Sequence, residues 1–290
     1  MLHVMVAMLD HPLNDIYIHI DKKVDITPFL GAATKWSNVY YLPKRINVEW
    51  GSTSQIETEL LIFEYANNNG HYSYFHMMSG QDLPLQPQDV IHHFFDNQHP
   101  GLEFVTINPH QDEKDIEYKT RYFHYFVKSL SDTQHSLSHY WHYYLHGITV
   151  RAQKIIGIQR TYPCALKKST HFVSITRGFV SYLLAQKDYI RKTFAHTLCA
   201  DEIFLQTILW NSSFRHNLYS PAAGIQGNMR YIVWENQKAH IWKDGDFESL
   251  LSSPYLFALK FTSSDKGLLL KIAEHNDCYE EVERILENAS

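Results

Sequence analysis

Apolar and polar residues alternate from Asp15 to Asp21, which puts Ile16, Ile18 and Ile20 on one side of the chain. A period of two predicts a half-buried strand there, preceded by a helical piece from the N-terminus. A second strand is predicted at Asn38–Leu42. The chain then runs through Ile46 to Ser52 into a segment of helical period from about Thr53 to Asn67. HYSYFHMM reads as a buried strand that stops at the turn SGQD, IHHFFDN as a short helix, and Leu102–Ile107 as another strand. The stretch from about Asp112 to Arg151 is aromatic and helical, and Thr170–Leu184 passes from strand to helix. Ile203, Leu205, Ile208 and Leu209 recur at helical spacing behind Asp201 and Glu202, carboxylates that suit the positive end of a helix. A Pro/Gly/Asn-rich link over Tyr219–Met229 leads to the short strand RYIVW, the turn KDGD, the segment Pro254–Phe261 and a helical tail from Asp265.

Strands alternating with helices, with no Asn-Gly hairpin signal, predict an α/β fold with a mostly parallel central sheet flanked by helices. Ligands in such sheets bind at the carboxyl ends of the strands, so the loops after Asp21, after Trp50 and at Ser79–Asp82 are expected on one rim. No linker separates independent units, so residues 1–263 are expected to form one domain with 264–290 as a helical tail packed on it.

Composition narrows the function classes. The 290 residues carry a net charge of -5, which leaves no basic footprint for nucleic acid. No apolar run approaches the roughly 20 residues of a membrane span, and the opening residues lack a charged signal-peptide region. A cytoplasmic location follows as the expectation, with peripheral membrane contact still open. Cys164, Cys199 and Cys278 are isolated, as expected of reduced thiols.

Candidate chemistry is sparse. His135, His139, His142 and His146 would stack on one helix face, yet they span about 16 Å, too far for one ion. Asp244-Gly245-Asp246 spells an acidic pair of the metal-binding type but lies in a turn ahead of a helix, where Asp and Gly serve geometry and capping. No dinucleotide, phosphate-loop or serine-hydrolase motif occurs. Arg230 and Lys260 stand among apolar neighbours in late segments.

Seven segments in order, NDIYIHIDKK, VEWGSTSQIETELLIFEYA, YSYFHMMSGQDLPL, KSTHFVSITRGFVSYLL, ADEIFLQTILWNSSF, MRYIVW and SPYLFALKF, resemble glycosyltransferase family 14. This family comprises the core-2/I-branching β-1,6-N-acetylglucosaminyltransferases and peptide O-xylosyltransferases. The resemblance implies a GT-A-like (Rossmann-like) fold and inverting transfer of a sugar, GlcNAc ahead of xylose, from a UDP-sugar donor to a glycan or glycolipid acceptor. It implies no cofactor and no divalent metal. Glu202 matches the catalytic base, and Arg230 and Lys260 match the cations that take a metal's place on the diphosphate. His19, Asp21, Val48, Trp50, Gly51, Ser79, Gly80 and Asp82 fall at donor and rim positions, and Thr170, His171, Phe172 and Asp201 on the acceptor side. His171 replaces the tryptophan of the usual Ser-Gln-Trp-Phe pattern, exchanging a stacking face for a smaller polar ring. Family members also begin with a strand ahead of the first helix, of the kind Tyr-Leu-Ile-Leu-Ala-His, so a first strand is expected to be missing here. The sparse cysteines suit a bacterial-type member. An idle glycan- or nucleotide-binding module is the alternative, and a metal-dependent hydrolase using the histidine stripe a more distant one.

Overall fold

A computed structural model of the chain describes residues 1–107, 113–130, 137–235 and 238–288. In order, the elements are α1 (Leu2–Met8), β1 (Asp15–Ile18), β2 (Asn38–Tyr41), α2 (Ser54–Asn69), β3 (Tyr74–His76), β4 (Asp82–Pro84) and α3 (Gln88–His93). Next come α4 (Glu113–Thr120), α5 (Leu137–Ile156), β5 (Ser174–Thr176), α6 (Arg177–Ala185), α7 (Lys187–Phe194) and α8 (Phe204–Trp210). The last are β6 (Arg230–Tyr231), β7 (Trp234–Glu235), β8 (Lys238–Ala239), α9 (Phe247–Leu251), β9 (Phe257–Leu259), α10 (Lys266–His275) and α11 (Tyr279–Asn288).

The result is an α/β fold whose strands pair in mixed sense. The expected parallel pairing is found at β1–β2 and β6–β9, whereas β3–β5, β4–β9 and β7–β8 run antiparallel. Leu102–Ile107 is shorter in pairing than its pattern predicts. Among the described residues it contributes the bridges Glu103–Leu218 and Phe104–Ser174, with the buried Glu103 carboxylate accepting from the Thr176 backbone and hydroxyl.

Two apolar cores explain the helix faces. Ile56, Leu60, Phe63 and Ala66 bring α2 against α6, α7, α8 and the β3–β5 pair, the spacing of one face of a helix. Glu59 lies on that same buried face, a position where periodicity alone calls for an apolar residue. The second core joins α1, β4, β9, α10 and α11 through Val4, Met5, Leu83, Phe261, Leu268, Ile272 and Val282. α1 is apolar almost throughout because it also covers Ile16, Ile18 and Ile20 of the β1 region.

No described strand precedes α1. Between β1 and β3 lies a cavity of about 740 Å³, bordered by Leu13–Ile20 along one side and His71–Gln81 along the other. Successive side chains of a strand point to opposite faces, so an unbroken run of lining residues means that the strand edges face the opening. α1 and α2 also line it, through Met5 and through Phe63 and Ala66.

Candidate functional site

The chain enters the site through a turn that the sequence did not foretell. Asp201 and Glu202 were expected in the first turn of a helix; they occupy a separate 3-10 turn over Ala200–Glu202, and α8 begins two residues after Glu202. The break lets the adjacent carboxylates diverge. Asp201 is buried and Glu202 keeps a third of its side chain exposed.

Backbone latches fix this turn. Cys199 adopts a left-handed conformation, and its N–H donates to the Gly51 carbonyl at 3.0 Å. Gly51 has φ +72, a left-handed backbone that favours glycine, and a Cβ there would press on Leu198 Cδ1 at 3.0 Å. The Gly51 N–H donates to Gln55 Oε1 at 2.6 Å, and Gln55 Nε2 donates to Asp201 Oδ2 at 2.8 Å. Ser169 N–H donates to the Glu202 carbonyl at 2.9 Å, which brings the acceptor-side segment alongside.

Electrostatics separate the carboxylates further. Burial, and then the charge of Glu202, push the Asp201 carboxyl up to about 7. Glu59, buried, is raised well above the usual carboxylate range by burial and by Asp201. Glu202 instead meets cations. Lys119 Nζ donates to Glu202 Oε2 at 2.7 Å and lies 3.2 Å from Asp115 Oδ2; Lys168 Nζ lies 2.7 Å from Asp115 Oδ2 and 3.4 Å from Glu202 Oε2.

Thr170, His171 and Phe172 run past the same turn. Thr170 is held by Asn228 Nδ2, donating to its hydroxyl at 3.1 Å, and by Gln206 Nε2, donating to its carbonyl at 2.7 Å. The His171 ring packs 4.1 Å from the ring of Phe172, with Nδ1 at 3.8 Å from Asp201 Oδ2; burial lowers its pKa.

Arg230 and Lys260 gather with Ser79 and Asp82 on the β4–β9–β6 sheet, but at different depths. Lys260, next after β9, is partly exposed. Arg230 has no exposed surface. Its guanidinium donates to Ser174 Oγ at 2.9 Å, to the Asn228 carbonyl at 2.6 Å and to the Val173 carbonyl at 3.1 Å, and lies over the Phe257 ring at 4.3 Å. The direct ligand contact expected of Arg230 is therefore not open to it in this conformation. Burial lowers its pKa to about 10, with Asp82 the opposing charge. Asp82, also fully buried and holding the Ser79 hydroxyl at 2.5 Å, is pushed up to about 6 by burial.

The remaining rim candidates form a third group. His19 Nε2 accepts the Ile46 N–H at 2.9 Å, and burial keeps its imidazole below the ordinary histidine range. Asp21 pairs with Lys23 at 3.3 Å, and Lys23 reaches the Val48 carbonyl. Trp50 is half exposed beside Gly51. His19, Ser79 and Gly80 line the large cavity; Glu202, Arg230 and Lys260 do not.

Sequence reasoning missed Asp115, Lys119, Lys168 and Glu59. Asp115 and Lys119, four apart on α4, carried a signal as an i,i+4 pair, but nothing local ties them to a turn 83 residues away. The decoy reading of Asp244 and Asp246 fits what is found: Asp246 accepts the Lys243 N–H at 2.9 Å and Asp244 pairs with Lys271. His135 and the side chain of His139 lie outside the described residues, while His146 Nε2 is 3.0 Å from His124 Nδ1. Among the described residues no cluster of three or more His, Cys, Asp or Glu is placed to hold a metal, and no helix is long and apolar enough to cross a membrane.

A family model described as Core-2/I-Branching enzyme matches residues 1–248. The chain is similar to the xylosyltransferase oxt of Drosophila melanogaster, 26% identical over 220 residues covering 72% of this chain and 23% of that protein. It is likewise similar to the xylosyltransferase oxt of Drosophila pseudoobscura pseudoobscura, 24% identical over 246 residues covering 81% and 25%. The matches thus span about a quarter of the length of these curated relatives.

Proposed function

The chain belongs to the Core-2/I-Branching enzyme family, and on that premise we propose that it is an inverting glycosyltransferase moving GlcNAc in β-1,6 linkage from a UDP-sugar to a glycan hydroxyl. The observation that carries this reading is Glu202. Its carboxylate is partly exposed, is gripped through Oε2 by both Lys119 and Lys168, and stands beside the Thr170–Phe172 segment.

In the proposed step, Glu202 takes the proton of the acceptor hydroxyl as that oxygen bonds to C1 of the donor sugar. The C1–O bond to the diphosphate breaks on the opposite face, and UDP leaves with the electron pair. A carboxylate within hydrogen-bond reach of the attacking hydroxyl is what such a step needs. Lys260 supplies the accessible positive charge for the departing diphosphate, at a place where fixed charge lowers the barrier. Arg230 serves that end from beneath, by holding Ser174, Val173 and Asn228. No divalent metal takes part in this account.

A second reading, xylose as the donor sugar, is favoured by the names of the matched relatives. Turnover of UDP-GlcNAc and UDP-xylose, each with and without EDTA, tests both. Faster release of UDP from UDP-GlcNAc, unchanged by EDTA, is expected. Preference for UDP-xylose favours the second reading, and loss of activity in EDTA contradicts metal independence. Binding of UDP with no turnover of either donor favours an idle binding module.

A further inference from the structure

Glu202 is held asymmetrically. Both of its ion pairs, from Lys119 at 2.7 Å and Lys168 at 3.4 Å, fall on Oε2. Asp115 Oδ2 joins the two ammonium groups, at 3.2 Å and 2.7 Å. The lysines come from different parts of the chain, one from the end of α4 and one from the loop that delivers Ser169 to the Glu202 carbonyl. Lys119 is only 12% exposed at its side chain, so solvent screens the pair less than on an open surface. Burial opposes its charge, yet the Glu202 carboxylate and, more weakly, Cys199 and Asp115 hold its ammonium above the ordinary lysine range.

We propose that Lys119 and Lys168, tied together by Asp115, are positioning residues that clamp Glu202 by a single carboxylate oxygen and so present the other oxygen to the attacking hydroxyl. This rests on the reading of Glu202 as the base. A carboxylate held at one oxygen loses rotational freedom without losing its second acceptor, and a pre-set geometry of this kind lowers the entropy cost of reaching the reactive arrangement. The countercharge of Asp115 matters as well. It orients both ammonium groups toward one point and leaves the four-group cluster close to neutral, so an incoming neutral hydroxyl meets an aimed acceptor rather than a strong field. The lysines touch no reacting atom in this account and act through Glu202.

The test uses the full chain with UDP-GlcNAc, water standing in for the unidentified acceptor, in wild type, Lys119→Met, Lys119→Arg, Glu202→Gln and the Lys119→Met/Glu202→Gln double variant. Lys119→Met is expected to lower kcat at least tenfold while KM for UDP-GlcNAc stays within twofold, and Lys119→Arg to recover most of the loss. In the Glu202→Gln background, Lys119→Met should change nothing further, because the group it acts through is gone. Turnover of Lys119→Met within twofold of wild type, or an equal further loss in the Glu202→Gln background, would overturn the clamp. If Glu202→Gln itself keeps wild-type turnover, the reading of Glu202 as base fails instead. Urea unfolding of the same proteins supplies an arm that needs no activity. Non-additive midpoints for the Lys119 and Glu202 changes are expected, and strict additivity counts against the clamp whatever the donor.

Discussion

Glu202 and Arg230 anchor opposite ends of the same short stretch, Ser169 to Ser174, and the contrast between them shows how depth decides what a charge can do. At one end Ser169 donates to the Glu202 carbonyl, and at the other Ser174 accepts from Arg230. Each anchor sits in a cluster of mixed charge. Around Glu202 the groups reach solvent and pair at hydrogen-bond distance with Lys119, Lys168 and Asp115. Around Arg230 they are sealed. Burial pushes Asp82 up to about 6, His76 down to about 3 and Arg230 down to about 10. Burial works against charge on each group of the sealed cluster, whereas the half-open one keeps its carboxylate within reach of solvent and substrate. Substitutions should therefore strike stability at the Arg230 end and turnover at the Glu202 end.

The largest stability effect is expected at Arg230→Met. Removing the guanidinium leaves the Val173 and Asn228 carbonyls and Asp82 without their buried cation. Each buried acceptor left without its donor in this way costs about 1–3 kcal/mol. Urea denaturation reads it directly, and a loss below about 1 kcal/mol, the scale of an exposed pair, would erase the contrast.

Asp82→Asn comes next and carries a pH signature. The native chain keeps a proton on Asp82 that the unfolded chain releases above its ordinary value of 3.8. Its contribution is therefore fully present below about pH 4 and fades as pH rises through about 6. A displacement of about two units corresponds to roughly 2–3 kcal/mol. Relative to Asp82→Asn, the wild type should lose stability between pH 4 and pH 6 and then level off. Denaturant midpoints at several pH values check this, and parallel curves for the two proteins would contradict it.

At the open end the stability effects shrink. Gly51→Ala should cost about 1–2 kcal/mol for the left-handed backbone, with added strain from Leu198. It should also slow turnover by loosening the Gly51–Cys199 latch. Lys119→Met should cost less than Arg230→Met, because its partner Glu202 keeps a third of its side chain exposed, even though its effect on kcat is large. A thermal melt run beside the kinetic assay separates the two effects.

Much of this contrast was legible in the residues, though not its depth. The alternation of Ile16, Ile18 and Ile20 marked β1, and the α2 face was readable except at Glu59, whose burial beside Asp201 is a tertiary fact. Parallel pairing was overestimated because the chain returns β9 between β4 and β6, antiparallel to one and parallel to the other. Glu202 was marked out only by the family resemblance, since its local pattern reads as a helix start, and its partners were not legible at all, because Lys119 and Lys168 reach it only through the packing of α4 and of the loop before Ser169. Arg230 was identified by type and position; that it lies beneath the surface depends on Phe257, Ser174 and Asn228 closing over it.

The most direct test of the account is the ratio of kcat for Glu202→Gln to that of wild type, measured on the donor the enzyme turns over, with UDP affinity measured on the same samples. Removal of a general base should lower kcat by about 100-fold or more while UDP binds as tightly as before, because Glu202 is proposed to act on the acceptor. Retention of more than about a tenth of wild-type turnover, far short of the loss a general base entails, would contradict the role given to Glu202.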